Sequence, residues 1–278
     1  MNYGFILPYG DARTAANLAR QAETAGWDGF FVWEPIWGID AWVALTAAAM
    51  VTNRIRLGTL LTPLPIRKPW KLAAEAATLD NLSGGRVIVS VGLGATDTGF
   101  ANFGEVTDRK TRAELLDEGI DILTGLWRGQ PFNYEGKHYH LKETSFYPPP
   151  PPVQQPRIPI WVVGAWPSKK SMARVLRCDG LLPARMQDTA DPQTGSFAGP
   201  VTPEDLRQMK TYIDQRRSAT TPFDIIQEGQ TPGKDRARAA EIVRPWAEAG
   251  ATWWIEAAWG EQDQDKLTER LRQGPPSV

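Results

Sequence analysis

Short apolar runs rich in β-favouring residues alternate along this chain with longer stretches whose apolar positions recur every three or four residues. The first run, 3–8, reads as a strand. Behind it, Asp11 can cap a helix carrying Ala15, Leu18, Ala19 and Ala22 on one face, and Gly26 stands past its end. The alternation then repeats. Strands are predicted at 29–33, 55–61, 87–91, 158–163, 179–183, 223–228 and 251–256. Helices fall between them. They run from Asp40 to about 51, Pro69 to Leu82, Thr107 to about Trp127, and Ser168 to Leu176. A further helix starts at Thr202 with proline next to the cap, one ends near Gly250, and one closes the chain at about 262–272.

Eight strands, each followed by a helix, make an α/β chain of (β/α)8 TIM-barrel type, one domain over 1–278. A doubly wound sheet would place a glycine-rich fingerprint after the first strand; Pro8, Tyr9, Gly10 and Asp11 do not match it. Segment 128–156 reads as an insertion between strands 4 and 5. It holds a hairpin at 132–141 and a proline run at 148–152, which reads as a stiff surface connection. A loop is expected at 188–200.

Composition narrows the function classes. The 278 residues are 42% hydrophobic and 23% charged, enough for one large core without staples. A net charge of -1 gives no bulk attraction to nucleic acid or an anionic membrane. A single cysteine, Cys178, excludes internal disulfides and a cysteine-rich zinc centre. No apolar run approaches a membrane span, and 1–10 lacks a signal-peptide pattern, so a cytoplasmic protein is expected. His138 and His140, spaced to point the same way from a hairpin, are expected at the surface; no metal site is assigned.

Chemistry in such a barrel gathers at the C-terminal ends of the strands. Those ends offer Tyr9, Trp33, Glu34, Trp37, Leu61, Thr62, Gly92, Gly94, Asp97, Gly164, Ala165, Trp166, Arg185, Glu228, Glu256 and Trp259. Gly92, Gly94 and Gly164 would let a flat ring or a phosphate come close, or would simply make tight turns. Ser168, Lys169 and Lys170 open a helix directly after a strand, which suits an anion as well as a solvated basic turn. Glu34, Glu228 and Glu256 could do acid–base work, hold a polar substrate, or pair with Arg185.

Segment 55–65 (Ile-Arg-Leu-Gly-Thr-Leu-Leu-Thr-Pro-Leu-Pro) is followed by Pro69, by Leu-Asp-Asn-Leu-Ser-Gly-Gly-Arg at 79–86, and by Val-Gly-Leu-Gly at 91–94. This succession resembles the bacterial luciferase-like monooxygenase family. Segments 26–34 and 159–164, with Asp179 and Gly180, are similar to the family's other strands, so the resemblance spans about 1–260. It implies a flavin-dependent oxidoreductase that uses reduced FMN, or a deazaflavin coenzyme, on a small organic substrate. The ring would lie on Leu60, Leu61, Thr62, Gly92 and Gly94, and the phosphate near Gly164, Ala165, Ser168, Lys169 and Lys170. Trp33 and Trp166 would wall the ring. Trp37, Arg185 and Trp259 would line the substrate side, with Glu34, Glu228 and Glu256 as catalytic candidates. The resemblance also implies a non-prolyl cis peptide at Leu60–Leu61, a homodimer, and a separate flavin reductase as partner. One position departs from the pattern. Many members carry an acidic residue and then histidine after the second strand; here the pair is Glu34 and Pro35, which argues against luciferase-type oxygen chemistry. Two other readings stay open: a TIM-barrel hydrolase using strand-end carboxylates, and a non-catalytic flavin-binding barrel.

Overall fold

The computed structural model describes residues 1–145, 149–187 and 198–276. Its framework is eight strands: β1 (Asn2–Leu7), β2 (Gly29–Val32), β3 (Arg56–Thr59), β4 (Val87–Gly92), β5 (Ile160–Trp166), β6 (Gly180–Met186), β7 (Asp224–Gly229) and β8 (Trp253–Glu256). Each pairs in parallel with the next, and β8 pairs with β1, so the sheet closes. Around it lie α1 (Ala12–Ala25), α2 (Ala41–Ala49), α3 (Pro69–Ser83), α4 (Arg109–Arg128), α5 (Lys169–Val175), α6 (Pro203–Asp214), α7 (Arg236–Ala249) and α8 (Gln264–Arg272).

Local chemistry sets the boundaries. Asp11 and Asp40 accept the Thr14 and Val43 N–H groups and cap α1 and α2. Thr202 and Asp205 form a reciprocal capping box at α6. α4 begins two residues later than expected because the Asp108 carboxylate, not Thr107, takes the Thr111 N–H at 2.7 Å. β5 and β6 run three residues further than the sequence suggests, because pairing continues through Ala165–Ala184 and Trp166–Arg185.

The insertion forms a hairpin, Phe132–Glu135 with His140–Thr144. It docks on α4 through Glu118, whose carboxylate accepts the Lys137, His138 and Tyr139 N–H groups. The two histidines do not share a direction. His138 meets Glu114 on α4 and His140 meets Glu135 within the hairpin, because the turn falls between them and the strand begins only at His140. The carbonyl of Pro151 accepts Asn81 Nδ2 of α3 at 2.9 Å. Pro148 and 188–197 lie outside the described residues, so the loop expected at 188–200 is visible only at its end. There Ala198 and Gly199 pair antiparallel with Met186 and Arg185.

Strand side chains alternate between two layers. Outward residues such as Phe5, Leu7, Phe30, Val32, Val89 and Val162 pack beneath the helices. Inward residues, including Ile6, Phe31, Ile88, Trp161, Leu182, Ile226, Trp253 and Ile255, fill the barrel. Phe31, Trp161 and Trp253 meet with ring centroids 5.3–6.0 Å apart. Glycines make room for them: a Cβ on Gly29 would stand 2.7 Å from Phe31 and 2.9 Å from Trp253. The lower barrel is therefore filled by side chains, and a cavity opens above this aromatic plug. Among the described residues, no helix is long and apolar enough to cross a membrane.

Candidate active site

Above the plug lies a cavity of about 1440 Å³, bounded by strand C-termini and by α4 and α5. Leu60, Leu61, Val163 and Ala165 give it an apolar floor. Trp33, Glu34, Glu228 and Trp259 form one wall. Arg109, Lys110, Arg112 and Lys170 line the opposite flank together with Asp97, Asp108, Glu114 and Asp117, and Arg185 of β6 lines the cavity next to β7. The Leu60–Leu61 peptide is cis, as the resemblance implies.

The two wall carboxylates stand in different surroundings. Glu34 is 7% exposed. Its Oε1 pairs with Arg67 at 2.9 Å, while Oε2 accepts the Thr62 hydroxyl and Trp42 Nε1. Burial pushes its pKa up, against the pull of Arg67 and of these hydrogen bonds. Glu228 has no cation. Trp259 Nε1 donates to its Oε2 at 2.9 Å, and burial again pushes the pKa above the ordinary carboxylate range. Trp259 also meets Trp33 edge-on, centroids 6.3 Å apart, and Tyr9 meets Trp33 at 6.1 Å.

The cationic flank is the reverse. Arg112 is buried and gives Nη1 hydrogen bonds to the carbonyls of Leu93 and Gly94. Arg109, Lys110, Arg112 and Lys170 take part in no ion pair among the described residues. Arg174, also on this side, is bound in two-pronged fashion by Asp117.

Of the residues expected at the site, Trp33, Glu34, Leu60, Leu61, Gly94, Ala165, Ser168, Lys170, Arg185, Glu228 and Trp259 line the cavity. Others sit beside it. Thr62 supports Glu34. Gly92 lies behind Leu61 and Val163, and a Cβ there would stand 2.9 Å from Leu61. Gly164 and Trp166 are on the outward face of β5. The missing Cβ of Gly164 leaves room for Leu181 and for Val175 of α5, and Trp166 meets Tyr212 of α6 at 5.7 Å. Lys169 is exposed away from the cavity. Trp37 is 82% exposed and stacks on Phe103 outside the lining. The hydroxyls of Ser168 and Ser171 hold their own turn, taking the Ser171 and Ala165 N–H groups.

Glu256 is turned away as well. On β8 it follows the outward Trp254, and it is enclosed by Thr231 and by Arg270 of α8 at 3.0 Å. The alternative of an ion pair between Arg185 and these glutamates is not formed, because Arg185 reaches Asp205 on α6 at 3.3 Å. Sequence reading missed Arg67, Arg112, Val163 and Ala184. Strand alternation would have found Val163 and Ala184, each an even number of residues from the core positions Trp161 and Leu182. Nothing in the local sequence marks Arg67 or Arg112.

A closed parallel barrel, filled below and open at the strand C-termini, is the (β/α)8 architecture that carries its sites at that end. More particularly, the chain belongs to the luciferase-like monooxygenase family, whose model matches residues 3–193, and is an oxidoreductase of that type. An uncharacterized protein of Mycobacterium tuberculosis (strain H37Rv) is 34% identical over 203 residues, covering 64% of this chain and 70% of the relative. The coenzyme F420-dependent tetrahydromethanopterin reductase of Methanopyrus kandleri matches the fold with a TM-score of 0.75. It is 18% identical, covering 99% of this chain and 98% of that one. The oxygenating constituent of 3,6-diketocamphane monooxygenase of Pseudomonas putida, solved with FMN, matches with a TM-score of 0.72. It is 16% identical, covering 98% and 96%. At these identities the two structures establish the shared fold.

Proposed function

We propose that this chain is a flavin- or deazaflavin-dependent oxidoreductase that uses reduced FMN, or the deazaflavin coenzyme in its place, on a small organic substrate. One observation carries the reading: a single cavity joins an apolar floor to a flank where Arg109, Lys110, Arg112 and Lys170 stand outside any ion pair among the described residues. A planar ring suits the first and an anionic tail the second. The volume of about 1440 Å³ also exceeds the roughly 300–1,000 Å³ of a usual small-molecule site, leaving room for coenzyme and substrate together. The two similar structures, one F420-dependent and one solved with FMN, support both coenzymes.

Leu60, Leu61 and Val163 would carry the ring, and Arg112, Lys170 and Arg109 would face the tail. Bound there, the coenzyme supplies the hydride or the oxygen-activating chemistry. The chain's own residues do the rest. Arg67 holds Glu34 in one orientation at the wall. Burial makes Glu228 hold its proton more tightly than an ordinary carboxyl, and its side chain faces the cavity, where a proton can pass to or from a bound molecule. Trp33 and Trp259 line that corner with apolar ring surface. Among the described residues no histidine lines the cavity, so proton handling falls to these carboxylates. A separate reductase supplying the reduced coenzyme and a homodimer are the partners this reading expects.

Absorbance titration of the purified chain with FMN, anaerobically reduced FMN and the deazaflavin coenzyme tests it. Tight binding of one, with a perturbed ring spectrum, is the expected result. Failure of all three overturns the reading and returns the hydrolase alternative; binding without turnover of any substrate favours the non-catalytic one.

A further inference from the structure

The two sides of the cavity carry opposite chemistry, and the aromatic side constrains what can share it with the coenzyme. The wall of Trp33, Glu34, Glu228 and Trp259 offers no free cation. Arg67 is held between Glu34 and Glu75, and Arg185 is held by Asp205. Glu228 Oε2 accepts Trp259 Nε1, and its Oε1 has no hydrogen-bond partner among the described residues. Ala184, the inward residue of neighbouring β6, lines the same cavity. The rings of Trp33 and Trp259, set at 83°, flank the position.

An anionic substrate would meet a carboxyl group here with nothing to neutralise it, at a desolvation cost with no return. An organic cation would gain from the indole faces but would lose its hydration beside a carboxyl that burial biases towards the neutral form, with no other anion of the wall free to pair with it, since Glu34 is taken by Arg67. An uncharged molecule loses little hydration against indole faces and needs only one polar contact.

We infer that the corner formed by Trp33, Glu228 and Trp259 receives an uncharged, largely apolar substrate, recognised through one carbonyl or hydroxyl oxygen that hydrogen-bonds to Glu228. Glu228 is thus a specificity-determining residue and Trp259, through Nε1, a positioning one. The inference rests on reading the cavity as a site for coenzyme and substrate together.

Three probes of one shape and different charge test it on the full chain: acetophenone, benzoate and benzylammonium, with affinities read by ligand-observed NMR. Acetophenone should bind at least about tenfold more tightly than either ion. Glu228→Gln, whose amide still pairs with an oxygen, should keep acetophenone binding, while Glu228→Leu should weaken it about tenfold, the worth of one hydrogen bond. A cooperative thermal transition reports that each variant is folded. Benzoate or benzylammonium binding as well as acetophenone, no acetophenone binding, or an unaffected Glu228→Leu would overturn the inference. The coenzyme titration run beside it separates the two readings. Coenzyme binding without acetophenone binding sinks this inference alone. Glu228-dependent acetophenone binding without any coenzyme sinks the coenzyme reading alone.

Discussion

Glu34, Glu228 and Glu256 look alike as letters at strand ends, and their surroundings give them three different characters. Glu256 is enclosed with Arg270 and Thr231 and ties β8 to α8. Glu34 is braced by Arg67, Thr62 and Trp42 at the cavity edge. Glu228 has an indole N–H and no counter-ion. Environments that differ this way separate the roles that chemically equal carboxyls can take. Glu228 also leaves a mark on stability. Burial raises its folded-state pKa, so between the unfolded and folded values the folded chain holds more protons than the unfolded one. Stability contributed by this group is therefore present at low pH and lost as pH rises through the folded value. Glu228→Gln should raise the thermal midpoint at pH 8 and change it little at pH 4. Equal shifts at both, in unfolding curves followed by circular dichroism, would contradict this assignment.

At the scale of elements, the segment that most clearly carries the family resemblance does structural work. Residues 79–86 close α3 and enter β4 at the end of the barrel opposite the cavity. Gly84 and Gly85 take positive φ of 68° and 85° there, which glycine adopts without steric cost. Arg86 is buried and gives five hydrogen bonds, to the carbonyls of Ser83, Ile55, Ala49 and Thr52 and to the Thr52 hydroxyl. Those bonds fasten the end of α2 and the start of β3 to the turn before β4. Asp80 and Asn81 of the same segment hold the insertion through Gln154 and Pro151. Arg86→Met should cost at least about 3 kcal/mol in denaturant unfolding, because it leaves several buried acceptors without a donor. The folded fraction should bind coenzyme with wild-type affinity; a selective loss of affinity would place Arg86 in the site instead. This segment is legible in the sequence because its chemistry is local. Gly164 and Trp166, by contrast, are at a strand end but face α5 and α6, and only the two-residue alternation sorts them.

Across the whole molecule, charge nearly cancels, at -1, yet it is unevenly placed. On the α4 and α5 side of the cavity Arg109, Lys110, Arg112 and Lys170 stand outside any ion pair among the described residues, beside Asp97, Asp108, Glu114 and Asp117, while the β2, β7 and β8 side has carboxyls and indoles and no free cation. This polarity orients a ligand with an anionic end and an apolar end without any change in net charge. It predicts opposite salt responses. Coenzyme affinity should fall severalfold between about 0.05 and 0.5 M sodium chloride, as the screening length shrinks from roughly 14 to 4 Å. Acetophenone affinity should stay unchanged or rise slightly over the same range. Parallel titrations at both salts check it; salt-independent coenzyme binding would show that the flank does not hold the tail.

The order and type of the eight strands and helices, and most of their caps, were determined by the sequence alone, because periodicity, capping and glycine geometry act over a few residues. So was the position of the cavity at the strand C-termini, which follows from the barrel itself. The tertiary structure decided which strand-end side chains turn into the cavity and which partner each one meets. Arg67 for Glu34, Arg270 for Glu256 and Asp205 for Arg185 come from elements that only folding brings alongside. Their pairing energies depend on distance and burial, and neither is written in the spacing of residues along the chain.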